Sequence, residues 1–228
     1  MTPFNRLLST MMKPWVIILY IAFLVISYNY IDRPLAAYLH AADLENTIPI
    51  LPWITRLGLG GLYMPGFLAA ALFFRYIQKN RVWEARFWFL WFCVVTTSAI
   101  CVGLKILLGR ARPEMWFQKH DYGFFGLQTK AAYWSFPSGH TSTIMGAVFG
   151  LSILFPRYTK SFISAGFLIA LSRVLLTRHY LSDVASATML ALLEVGLLLW
   201  IFQKKSWLTL AWQDSQYKPG SQESYDIA

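Results

Sequence analysis

The sequence predicts an all-α membrane protein, a single bundle of six apolar helices, and three observations predict it. Hydrophobic residues make up 57% of the 228 positions and charged residues only 14%, against about a quarter charged in an ordinary soluble domain. Several apolar runs reach or approach the roughly 20 residues needed to cross a bilayer. The polar and ionisable residues gather at the ends of those runs, chiefly at one end of the bundle, where they avoid the cost of lying within lipid.

Six spans follow in chain order, at about Pro14 to Ile31, Leu57 to Phe74, Phe87 to Leu108, His140 to Phe155, Ser161 to Leu176 and Asp183 to Phe202. The fourth and fifth are short and borrow flanking residues. One membrane domain over 1–206 results, followed by a loose polar cytoplasmic tail over 207–228. Arg6 and Lys13 precede the first run, which is long and lacks a small-x-small cleavage site, so it reads as an uncleaved anchor.

Most Lys and Arg fall on one side of this arrangement: Arg6 and Lys13, then Arg75, Lys79, Arg81 and Arg86, then Arg157 and Lys160, then Lys204, Lys205 and Lys218. The positive-inside bias puts that side, and both termini, in the cytoplasm. The net charge of +9 then reflects loops, and with no continuous basic stripe it does not point to nucleic acid. Cys93 and Cys101 lie about 12 Å apart along one helix axis, too far to bridge. Gly58, Gly60, Gly61 and Gly66 lack the spacing of a dinucleotide fingerprint, because Tyr63 stands where a third glycine is needed. They read as small residues for close helix packing. Glu194 is an acid within the sixth span without an assigned partner, and His40 and His120 belong to no cluster.

The opposite, outer rim carries the chemistry. Lys105 and Arg112 are seven residues apart and can face one side; Pro113 then turns the chain away. With Arg173 they form a cationic receptor suited to a phosphoryl group, because the arginine fork matches tetrahedral oxyanions. Pro137-Ser138-Gly139-His140 opens the fourth span, offering backbone N–H groups and the positive end of a helix to an anion. His179 and Asp183 are four apart, on one helical face. A carboxylate accepting the imidazole N–H fixes the tautomer and leaves the other nitrogen basic, which makes His179 a nucleophile. His140 then protonates the leaving alkoxide and later activates water. Two histidines and an aspartate also suit zinc, but the neighbouring cations favour an anion over a metal.

K-x6-R-P from Lys105 to Pro113, P-S-G-H over 137–140 and S-R-x5-H-x3-D from Ser172 to Asp183 together resemble the signature of the type-2 phosphatidic acid phosphatase (PAP2) superfamily. The resemblance extends over roughly Leu57 to Phe202. It implies a PAP2/haloperoxidase-like helical bundle and a phosphohistidine mechanism without metal or cofactor. It assigns His179 as nucleophile, Asp183 as its orienting carboxylate and His140 as acid and base, with Lys105, Arg112, Ser138, Gly139 and Arg173 holding the phosphate. Soluble haloperoxidase relatives are disfavoured by the apolar spans. The branch most similar in layout comprises bacterial inner-membrane lipid phosphatases that act on the periplasmic side. The expected partner is a lipid phosphate within membrane lipid: phosphatidic acid or phosphatidylglycerol phosphate, undecaprenyl pyrophosphate, or a lipid A phosphate. A phosphotransferase using the same histidine is an alternative, and an anion transporter a distant one. The aromatic loop from Glu114 to Phe136 is expected to shape headgroup access. The sequence leaves the lipid and the oligomeric state open.

Overall fold

The structure, a computed structural model, describes residues 1–212; the remainder of the expected tail lies outside them. The principal helices are α1 (Pro3–Met11), α2 (Pro14–Ala41), α3 (Gly60–Tyr76), α4 (Arg81–Leu108), α5 (Gly139–Leu154), α6 (Thr159–Leu175) and α7 (Leu181–Lys204). Short helical turns lie between them, and no strand occurs among the described residues.

All six expected runs are helical, but their lengths differ. α2, α4 and α7 are long and apolar enough to cross a membrane, at 28, 28 and 24 residues. α3, α5 and α6 have only 17, 16 and 17 residues. The first run also continues ten residues past its expected end at Ile31, to Ala41. A π-helical turn at Ser27–Ile31 joins its two α-helical parts, and turns of this kind commonly sit beside functional residues. Here the turn precedes Asp32, a carboxylate buried to 1% exposure.

α5 is the centre of the bundle. Its sequence is apolar or small on every face, the pattern of a fully buried helix, and nearly every residue from Thr141 to Leu154 is buried. α4, α6 and α7 pack around it, with Phe89, Cys93, Met145, Val148, Phe149, Ile169 and Val195 in one core. α2 is the opposite case, with Trp15, Ile18, Leu19 and Ile21 all more than half exposed. An apolar surface of that extent belongs against lipid or a partner.

Glycines set the closest crossings. A Cβ on Gly146 would meet Thr97 Oγ1 at 2.5 Å and the Cys93 carbonyl oxygen at 3.1 Å; one on Gly166 would meet Val148 Cγ2 at 2.9 Å. The glycines expected to serve helix packing divide. Gly58 faces His140 and Gly60 faces Thr143, whereas Gly61 and Gly66 have nothing within 4 Å. The tail expected from Trp207 onward begins with packed residues: the turn Thr209–Trp212 buries Ala211 and Trp212, and the Trp212 ring meets Phe89 edge-on at 5.0 Å.

Gly146→Val is expected to lower the thermal midpoint of the detergent-solubilised protein by several degrees, since overpacking costs about 1–3 kcal/mol. Gly61→Ala should leave it unchanged or raise it. Melts of the two variants beside wild type check both, and an unshifted Gly146→Val would show that the α4–α5 crossing is looser than described.

Candidate active site

The ends of α4, α5, α6 and α7 meet at one end of the bundle, and the residues singled out from sequence come together there. Lys105 lies in the last turn of α4. Gly109 ends that helix with φ +54°, and a Cβ there would collide with the Gly126 carbonyl oxygen, so the chain turns where only glycine fits. The loop that follows folds back over this corner. Ala111 N–H donates to Gly123 O at 3.1 Å, Arg112 N–H to Ala132 O at 3.0 Å, and Ser135 N–H to Arg110 O at 3.0 Å. Backbone bonds thus fix both ends of the loop and orient the arginines between them.

Ser138 stands at the N-terminus of α5 in extended conformation, although its side chain makes no capping bond. Its hydroxyl instead accepts from Thr141 Oγ1 at 3.0 Å. Its N–H donates to the Asp183 carbonyl at 3.3 Å, tying α5 to α7. A Cβ on Gly139 would lie 3.5 Å from Lys105 Cε, so the smallest residue faces the lysine stem.

The three cations have neutral partners or none. Lys105 Nζ donates to Trp134 O at 2.6 Å and Arg173 Nη1 to Thr55 Oγ1 at 2.8 Å. The Nε atoms of Arg112 and Arg173 are buried without a hydrogen-bond partner. Among the described residues none of the three is ion-paired. Buried cationic donors left unpaired are costly, and an anion with several oxygens would satisfy them. A recess of about 260 Å³ reaches Lys105, Gly139 and His140 past the open face of Gly61. A larger cleft of about 590 Å³ runs from Arg112 along His40, Glu45, Phe117 and Arg178.

His179 lies in the turn before α7, buried to 3% exposure. Burial pulls its pKa down from 6.5 to about 3, with the Asp183 carboxylate opposing that shift only in part, so the ring is neutral near pH 7. Its Nδ1 stands 3.6 Å from Asp183 Oδ2, longer than a hydrogen bond. The expected dyad is therefore juxtaposed rather than bonded. Asp183 is already engaged: Oδ2 accepts from Ser135 Oγ at 2.6 Å and Tyr180 N–H at 2.9 Å, and Oδ1 from Arg110 Nη1 at 2.5 Å.

Arg110, Asp32, Ser135 and Ser182 are site residues that the sequence reading passed over. Arg110 falls at a variable position between Lys105 and Arg112, so the spacing gave it no weight. Asp32 did carry a signal, as an acid just past an apolar run, where charge is rarely idle. His120 is exposed and apart from the cluster. His40 stacks on Phe117 at 4.1 Å and lines the larger cleft. Within the aromatic loop Tyr122 and Phe124 stack on Tyr28 and Tyr133 donates to Asp121 at 2.9 Å, while Phe124 and Phe125 stay exposed.

Residues 86–207 match the PAP2 superfamily. The lipid A 1-phosphatase of Rhizobium johnstonii is 38% identical over 99 residues, covering 42% of this chain and 39% of that protein. Its namesake from Rhizobium etli is also 38% identical over 99 residues, 41% of its own length. The matched segment is thus about two fifths of each curated relative. No solved structure matches the chain. The family match spans more than half of the sequence and contains all three motifs with the residues that converge at the helix ends, and on that ground the chain belongs to the PAP2 superfamily.

Proposed function

We propose that the protein is an integral membrane lipid phosphatase that hydrolyses a phosphate monoester or pyrophosphate through a phosphohistidine. The observation that carries this reading is the meeting of a neutral, buried His179 with His140 and three cations lacking carboxylate partners. In the first step His179 Nε2 bonds to phosphorus as the phosphorus–oxygen ester bond breaks, and His140 gives its proton to the departing oxygen. In the second, His140 takes a proton from water, the water oxygen bonds to phosphorus, and the phosphorus–nitrogen bond breaks. Lys105, Arg112, Arg173 and the N–H groups near Ser138 and Gly139 stabilise the charge that builds on the equatorial oxygens.

In this reading the chain has six spans, the shorter α3, α5 and α6 being completed by flanking residues, and the Lys and Arg of the loops favour both termini in the cytoplasm and the reacting residues at the periplasmic face of a bacterial inner membrane. Headgroups lie at that height. Among lipid phosphates, a lipid A phosphate is favoured by the names of the Rhizobium relatives. Phosphatidic acid, phosphatidylglycerol phosphate and undecaprenyl pyrophosphate are the comparison substrates.

Purified protein in detergent with chelator present is expected to release inorganic phosphate from lipid A faster than from those three. His179→Ala should lower the rate by at least about a thousandfold, as loss of a nucleophile does. Strict dependence on an added divalent ion, or an active His179→Ala, would defeat the reading.

Acid sensitivity tests the state of the ring. Between about pH 6.5 and 3 the unfolded chain protonates His179 and the folded one does not, so this residue's contribution to stability falls as pH drops through that window. The drop in thermal midpoint from pH 7 to pH 5 should be smaller in His179→Gln than in wild type. Equal drops would mean that the fold does not hold the imidazole neutral.

A further inference from the structure

Behind the reacting residues lies an ion cluster that the proposed chemistry does not use directly. Arg110 is 1% exposed, with Nη2 donating to Asp32 Oδ2 at 2.7 Å and Nη1 to Asp183 Oδ1 at 2.5 Å. Ser182 completes the ring of contacts. Its hydroxyl accepts from Arg110 Nη1 at 2.7 Å and donates to Asp32 Oδ2, and its backbone N–H donates to Asp32 Oδ1 at 3.1 Å. Ser27 Oγ adds a bond to Asp32 Oδ1 at 3.0 Å from the π-helical turn. The rings of Tyr28, Tyr122, Phe124 and Tyr180 surround the guanidinium at 5.0, 5.7, 5.4 and 4.7 Å.

Holding Arg110 in place would need one carboxylate. Two carboxylates facing one guanidinium leave a negative charge without a counter-charge inside the cluster, in a water-poor setting where charge acts strongly. Among the groups it faces is His179, whose Nδ1 lies 3.6 Å from Asp183 Oδ2. A neutral imidazole that bonds phosphorus through Nε2 while keeping its Nδ1 proton becomes a cation. The surplus negative charge then stabilises the phosphorylated ring more than the free one, the differential interaction that lowers a barrier.

We propose that Arg110 and Asp32 are positioning residues for the His179–Asp183 pair, an inference that rests on the phosphohistidine reading. Arg110 fixes the Asp183 carboxylate beside the ring. Asp32 holds Arg110 and supplies the surplus negative charge. Neither touches the substrate, so their loss should appear in kcat and not in KM.

The experiment uses the full chain in detergent, with phosphate release measured on lipid A and on phosphatidic acid. Asp32→Asn is expected to lower kcat by about tenfold or more with KM within about twofold, the pattern of an interaction made only in the transition state. Arg110→Lys, which keeps the charge and loses the fork, should retain more kcat than Arg110→Ala. Ser182→Ala changes no charge but removes the hydroxyl that bonds both Arg110 and Asp32, so the cluster is held less firmly; a smaller loss of kcat, about threefold, is expected, with the thermal midpoint measured alongside. Ser182→Ala decides the matter if the charge variants are not recovered folded, since a wild-type kcat there overturns the proposal. A raised KM at constant kcat in Asp32→Asn overturns it as well. If wild type releases phosphate from neither lipid, the phosphohistidine reading fails and takes the proposal with it. If wild type is active, His179→Ala is dead, and Asp32→Asn and Ser182→Ala match wild type, the positioning role alone fails.

Discussion

A guanidinium buried to 1% exposure in an apolar bundle is tolerable only where its charge is met; in Arg110 both Nη atoms reach carboxylates, while Nε, like that of Arg112 and Arg173, has no partner. The desolvation of such a group costs several kcal/mol. For Arg110 the compensation comes from two carboxylates remote in sequence, Asp32 at the π-helical turn of α2 and Asp183 in the first turn of α7. The pair of contacts joins the first long helix, the loop after α4 and the start of the last helix at one point. Removing either acid leaves Arg110 paired with the other but takes a carboxylate from a buried guanidinium donor, a larger disturbance than breaking an exposed ion pair such as Arg178–Glu45. Burial and Asp183 act on Arg110 in opposite senses. Burial alone would ease the proton off, and the carboxylates of Asp183 and Asp32 more than reverse it, raising the pKa.

The contrast with the other cations of this rim explains which of them are free for an anion. Arg110 has its full complement of carboxylates, so it offers a phosphate little. Lys105 and Arg173 touch only a carbonyl and a hydroxyl, and Arg112 Nε has no partner. Burial pulls the Arg112 pKa down, against the pull of Asp183 and Glu114. Cations left in that condition gain from any oxyanion placed between them. The bundle thus neutralises one arginine internally and leaves three cations to act outward. The loop over 109–136 separates the two sets by fixing Arg110 inward and Arg112 at the edge of the larger cleft.

Much of this was legible in sequence, and the omissions have physical reasons. The three motifs marked the right helix ends, but the helical faces expected from their spacing do not exist: α4 ends at Leu108, before Arg112, and His179 lies in the turn ahead of α7, so the loop and the turn bring these residues to the rim. Apolar runs located every long helix, because burial and lipid both demand continuous hydrophobicity. What counting misses is charge pairing across the chain. Asp32, Arg110 and Asp183 lie in three separate segments, and no periodicity connects them. Helix ends were also misjudged where tertiary contacts override composition. α2 continues through polar Asp32 and Arg33 because Arg110 receives the acid, and Trp212 packs on Phe89 despite a polar sequence beyond it. In sequence the glycines from Gly58 to Gly66 form one stripe. The structure divides it into packing positions at Gly58 and Gly60 and an open face at Gly61.

Asp183 shows why the dyad is looser than its spacing suggests. Its Oδ2 accepts from the Tyr180 N–H, a bond that caps the first turn of α7, and from Ser135 in the loop. Its Oδ1 is drawn to Arg110. One side chain therefore terminates a helix, balances a buried cation and faces the imidazole, and the first two demands hold it 3.6 Å from Nδ1. Catalytic hydrogen bonds often tighten only when the reacting charge appears. In the proposed mechanism the ring turns cationic on taking up phosphorus, and that charge would close this gap. Substitution at Asp183 consequently mixes folding with chemistry, whereas the side chains of Ser182 and Asp32, which reach it through Arg110, alter the carboxylate's setting without removing the carboxylate itself.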